Sequence, residues 1–175
     1  MAAALIMVSC AGGSSNDPGV GDPATAPEIE AVLAATARQR VNVDNSFGGH
    51  TAFHAVNVVE RLGIGAKNGM VDTTSPGGRL LTAGEKDAIT AALAPMAIAW
   101  VPDIHAVIGT GPLPTFRGIR AVLTMAVPRF SNGRAEATSM LWCGGTCGVG
   151  STHVLSLAPD GTWSVTGTTG IGFIA

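Results

Sequence analysis

The chain has 175 residues, 46% of them hydrophobic, 13% charged and 5% aromatic, and ten Lys and Arg against twelve Asp and Glu leave a formal net charge of -2. A single domain of about 150 residues buries roughly 70% of the surface its unfolded chain exposes, so a packed core forms without metal and extensive disorder is not expected. No basic run gathers phosphates, which argues against nucleic acid, and no stretch reaches the 18 or so apolar residues of a spanning helix.

Met1 to Val8 reads MAAALIMV and runs into Ser9, Cys10 and the small residues Ala11 to Gly13. An apolar stretch followed by small residues is the pattern of an export signal. The segment Met7-Val8-Ser9-Cys10 resembles the lipobox of bacterial lipoproteins, where the cysteine accepts lipid and becomes the first residue after cleavage. The resemblance implies lipidation at Cys10, with simple secretion and an ordinary disordered N-terminus in the cytosol as alternatives. Residues 11–26, AGGSSNDPGVGDPATA, are dense in Gly, Pro, Ser and Asp and form a flexible linker. The expected organisation is a signal or lipobox-like segment over 1–10, a linker over 11–26 and one domain over 27–175.

Within that domain, Ile29, Val32, Leu33, Thr36, Ala37 and Arg40 recur at helical spacing, with Pro27 in the first turn and Glu28 and Glu30 at the positive helix end. The β-branched and aromatic residues of Ala52 to Leu62 predict a strand, and the Gly, Ser, Thr and Asn of Gly63 to Arg79 predict a long loop. Thr82 and Glu85 spell a capping box for a second helix over Ala83 to Leu93, with Pro95 near its end. A short apolar stretch, Ala97 to Val101, follows. Ile119, Ala121, Leu123, Met125 and Val127 then share one face of a strand that stops at Pro128. Asn132-Gly133 supplies the positive φ of a tight hairpin turn. Arg134 to Cys143, Thr152 to Ala158 and Thr162 to Thr166 complete the strands, with a turn at Pro159-Asp160-Gly161. The expected fold is α+β, two or more helices packed on an antiparallel meander sheet of about four to five strands.

Leu141-Trp142-Cys143-Gly144-Gly145-Thr146-Cys147 lies between two predicted strands. A three-residue link sets Cys143 across from Cys147, at the Cα spacing that a disulfide bridges. In an oxidising compartment the pair is a staple at the hairpin tip. A redox role for the same two cysteines is the alternative, although thiol-disulfide enzymes use C-x-x-C at a helix start, which lowers the thiol pKa.

Cys143, Gly144, Gly145, Cys147, Gly148 and Gly150, followed by Trp163, Val165, Gly167, Thr168, Thr169 and Gly170, carry a resemblance to a family of uncharacterised bacterial exported proteins. Many of these are predicted lipoproteins sharing a CGG-x-CG-x-G hairpin tip and a W-x-V-x-G-T-T-G ending. The resemblance spans mainly the last forty-five residues, with a looser echo from Glu85 to the Ala-Trp-Val segment. It implies localisation and fold more than activity, and carries over no catalytic residue.

Other chemistry is thinly supported. His50 and His54 have metal-chelating spacing only on a helix; on a strand they stand about 13 Å apart. His105 beside Asp103, and His153 in a strand, show no ligand spacing. Gly145 to Thr152 approaches a phosphate loop, but Ser151 replaces the lysine and a strand follows. No G-x-S-x-G elbow occurs. Glu28, Glu30, Glu85 and Asp87 read as helix-start charges. Trp142, Trp163, Phe116 and Phe130 read as packing residues, though a pocket lined by Trp142, Met140 and polar groups would indicate binding. These readings converge on an exported, lipid-anchored cell-envelope protein, a non-catalytic binding or structural module for an envelope ligand or protein. They include no catalytic residue, metal, cofactor or nucleic acid, and membrane contact comes only through Cys10.

Overall fold

The computed structural model describes residues 24–45, 53–66, 68–107, 121–144 and 147–174. Helix α1 spans Ala26–Asn42, and its start is fixed by Thr25, whose N–H and O–H both donate to the Glu28 carboxylate at 2.8 Å. Those two bonds hold the Glu28 carboxyl below its ordinary pKa. The predicted stripe is the face that buries: Val32, Leu33, Thr36, Ala37, Arg40 and Val41 are all covered.

After α1 come β1 (Ala55–Val59), β2 (Arg61–Leu62), β3 (Ile64–Gly65), β4 (Val71–Asp72), β5 (Arg79–Leu80), α2 (Ala83–Leu93) and β6 (Ala97–Val101). A single 3-10 turn, Ile104–Ala106, precedes β7 (Ala121–Met125), β8 (Arg129–Ser131), β9 (Arg134–Gly144), β10 (Cys147–Leu157) and β11 (Trp163–Ile174). The α2 start matches its sequence signature: the Thr82 hydroxyl accepts from the Glu85 N–H at 3.2 Å, and the Glu85 carboxylate accepts from the Thr82 N–H at 2.8 Å. Glu85 is buried and also clamped by both terminal nitrogens of Arg79. Burial alone would raise its pKa, but the Arg79 and Thr82 bonds outweigh it and the carboxyl sits lower than usual.

Among the described residues the main sheet has seven strands, in the order β6-β1-β7-β9-β10-β11, with β8 pairing β9 beyond the end of β7. β1 runs parallel to both β6 and β7, while β9, β10 and β11 are antiparallel. The antiparallel meander of four to five strands expected from the sequence is therefore overturned: the sheet is mixed and larger. The physical reason is connectivity. One helix suffices to carry the chain from β1 back to a parallel β6, the usual requirement for a parallel pair, and β7 then inserts on the other side of β1. The predicted loop over 63–79 also differs, since β2 pairs β5 and β3 pairs β4 to form a flap.

The core lies between α1 and one sheet face. Leu33, Ala37 and Val41 meet Val56, Val58, Leu123, Met125 and Leu141, and Ile89 and Leu93 of α2 close the side. A second cluster joins Val32 to Ala135, Ala137, Leu155 and Trp163, with Phe130 edge-on to Trp163 at a centroid distance of 5.7 Å. On the opposite face, Val71, Ala126 and Met140 form a smaller cluster beneath the flap. Gly65 is needed here because a Cβ at that position would collide with the Thr138 side chain. The Asn132-Gly133 turn forms as predicted, with φ of 48° and 71°.

Candidate functional site

Two polar clusters lie on opposite faces of the sheet. The first lies beneath α1, with Arg40 and His153 buried and Asp44 at its solvent-facing rim. Arg40 is 1% exposed, and its Nε donates to Ser139 Oγ at 3.1 Å, Nη1 to the Asp44 carbonyl at 2.7 Å, and Nη2 to Ser151 Oγ. His153, with no exposed surface, places Nε2 2.9 Å from Asp44 Oδ2 and 3.4 Å from Arg40 Nη2. Asp44 also accepts from Gln39 Nε2 at 3.1 Å. Burial draws the Arg40 pKa down to about 10, partly resisted by Asp44, so the guanidinium remains charged at neutral pH. Burial, then the Arg40 charge, push the His153 pKa below its usual value against the pull of Asp44. A neutral imidazole donating from Nε2 to Asp44 fits these neighbours, and leaves His153 Nδ1 without a partner among the described residues. The network ties the end of α1 to β9 and β10, and apart from His153 Nδ1 its charged groups find their partners within it.

The second cluster is open. Between the flap and β11 runs a groove of about 820 Å³, floored by the sheet face away from the helices. Three threonines form its floor: Thr138 pairs with Thr152 across β9 and β10, and Thr152 pairs with Thr169 across β10 and β11. Opposed residues on neighbouring strands share a face, so the three hydroxyls stand in a row. The Thr138 and Thr152 oxygens lie 2.8 Å apart. One row along β9, Glu136 pairs with Arg129 of β8, and both line the groove. The walls are aliphatic, from Ile64 and Ala66 on the flap side, Val127 and Pro128 between β7 and β8, and Ile171 on β11. Arg61 holds the flap closed on itself, donating to the carbonyls of Thr73 at 3.1 Å and Gly78 at 2.9 Å.

The residues singled out from sequence fall in different places. Cys143 and Cys147 form a disulfide with a Cα separation of 5.0 Å. Their register is shifted from expectation: Cys147 faces Gly144 and Gly148 faces Trp142, so a bulge at Cys147 and Gly148 absorbs the tip. Cys10, His50 and Phe116 lie outside the described residues. His54 and His105 are exposed, and among the described residues no three His, Cys, Asp or Glu side chains gather as a metal set. Ser151 serves Arg40, Glu28 and Glu85 serve helix starts, and Asp87 is exposed. Met140 is buried beneath the flap and Trp142 is half-buried, so neither lines the groove.

Sequence reasoning missed Arg40 and the threonine row. Arg40 had a signal, a cation on the apolar stripe of a predicted helix. The row had none, because Thr138, Thr152 and Thr169 meet only through strand register. Among the described residues no helix is long and apolar enough to cross a membrane. No family model, curated protein or solved structure matches the chain.

Proposed function

We propose that this chain is an exported cell-envelope protein, lipid-anchored through Cys10, that acts as a non-catalytic binding module with the groove as its ligand seat. The groove carries the reading: it has the size of a small-molecule site, it is walled by aliphatic side chains, and it has a few convergent polar groups. The export half rests on the Met1 to Val8 run, Ser9-Cys10 and the linker behind them. The Cys143–Cys147 disulfide supports it, since such bonds persist in oxidising compartments. On this reading the disulfide is a staple. Cys143 packs against the main core, and both cysteines lie on paired strands, β9 and β10, rather than at the helix N-terminus that activates a thiol.

Two measurements test the proposal. Labelled palmitate fed to expressing cells marks the wild-type chain and not Cys10→Ala; absence of label in both removes the anchor. A fragment screen followed by amide NMR moves resonances of Thr138, Thr152 and Thr169. Fragment shifts confined to other surfaces remove the ligand seat.

A further inference from the structure

We infer that the groove takes an uncharged, polyhydroxylated ligand, a short saccharide segment; this rests on the groove being a ligand seat. The floor is the first reason. A threonine hydroxyl is one donor with two acceptor lone pairs and turns to suit its partner, as a sugar hydroxyl does. Thr138 and Thr152 already share one hydrogen bond at 2.8 Å, so the pair keeps one O–H and several lone pairs for a ligand. Thr169, on the exposed neighbouring strand, extends the same row.

The charges are the second reason. Glu136 and Arg129 are exposed, stand opposite one another, and have no ion-pair partner among the described residues. A carboxylate that only accepts beside a guanidinium that only donates matches two adjacent hydroxyls, each of which does both. The two charges cancel, so a net anion or cation gains little from the site. The walls are the third reason. Ile64, Val127, Pro128 and Ile171 offer aliphatic contact to the C–H face of a sugar ring. A purely hydrocarbon ligand would satisfy those walls while stripping water from the threonine row and returning no hydrogen bond.

The test titrates the full chain with cellotetraose, chitotetraose and maltotetraose at up to millimolar concentration, read by amide NMR, with dodecanoate as an apolar probe. At least one saccharide is expected to shift the amides of Thr138, Thr152 and Thr169 saturably. Thr152→Val, nearly isosteric, is expected to weaken that binding about tenfold, the effect of one lost hydrogen bond of ordinary strength. Thr169→Val, at an exposed position, repeats the test where folding is not at stake. Saccharide binding that survives both substitutions overturns the inference. So does saturable binding of dodecanoate alone, which leaves the ligand seat standing. If no probe shifts these residues, the saccharide inference and the ligand seat both fall.

Discussion

Replacing Arg40 by Met tests whether the network around it is a stabilising tie between α1 and the sheet. Met is unbranched, close in length and similar in helix propensity, so the change isolates the charged head. Arg40 makes three hydrogen bonds, to Ser139, Ser151 and the Asp44 carbonyl. Bonds from a charged donor contribute about 2–3 kcal/mol each. Against this stands the cost of burying the cation, about 3 kcal/mol for a pKa drawn from 12.5 to about 10. The net is a loss of about 3–6 kcal/mol, in line with the about 3–5 kcal/mol seen when one partner of a buried pair is removed. His153 and Asp44 lose their common neighbour in the same step. Urea unfolding followed by circular dichroism measures the loss as a lowered midpoint at unchanged slope. Arg40→Lys keeps the charge but not the fork that reaches two strands and a carbonyl together, so its loss falls between the two. A Met variant within about 1 kcal/mol of wild type, or more stable than it, refutes the reasoning, because the network would then be no better than an apolar filler.

Other outcomes follow from the same contacts. Because the folded protein holds His153 below its ordinary pKa of 6.5, the unfolded chain takes up a proton first as pH falls. Stability is then full above that value and declines as pH drops toward the folded pKa, with a slope of at most about 1.4 kcal/mol per pH unit. His153→Gln flattens this part of the profile, measured by denaturation between about pH 5 and 8. Thr82→Ala removes the side-chain acceptor at the start of α2 and lowers stability by about 1 kcal/mol, whereas Thr82→Ser retains it. Cutting the disulfide with Cys143→Ser and Cys147→Ser together costs about 2 kcal/mol, since a sequence separation of 4 closes a very small loop; a thermal melt with and without reductant checks it. Leu141→Ala, in the middle of the main core, costs about 2–5 kcal/mol by the same denaturation assay.

What the sequence made legible was local. The α1 stripe, the Thr82 and Glu85 cap, the Asn132-Gly133 turn and the inward face of Ala121, Leu123 and Met125 each rest on residues within a few positions of one another. The parallel pairing of β1 with β6 and β7 rests on none, since Ala97 to Val101 reads equally as an antiparallel neighbour or a parallel one. The flap was hidden because its ladders are two residues long, too short for alternation to register. β11 was read as ending at Thr166, because Gly167, Gly170 and Gly172 argue against a strand; β10 supplies the partner that carries it on to Ile174. The groove inherits both omissions, being bounded by the flap on one side and by the far half of β11 on the other.

Consider the flank of the sheet that β11 forms. No described strand lies along its outer side, and its twelve residues include neither a charge nor a proline. Ile171 and Ile174 are 76% and 82% exposed there. Natural edges are usually guarded by lysine, proline or a covering segment against joining a neighbour's backbone. Among the described residues this flank therefore lacks the usual guards, and a Thr168→Lys substitution, opposite His153 and away from the groove, would supply one.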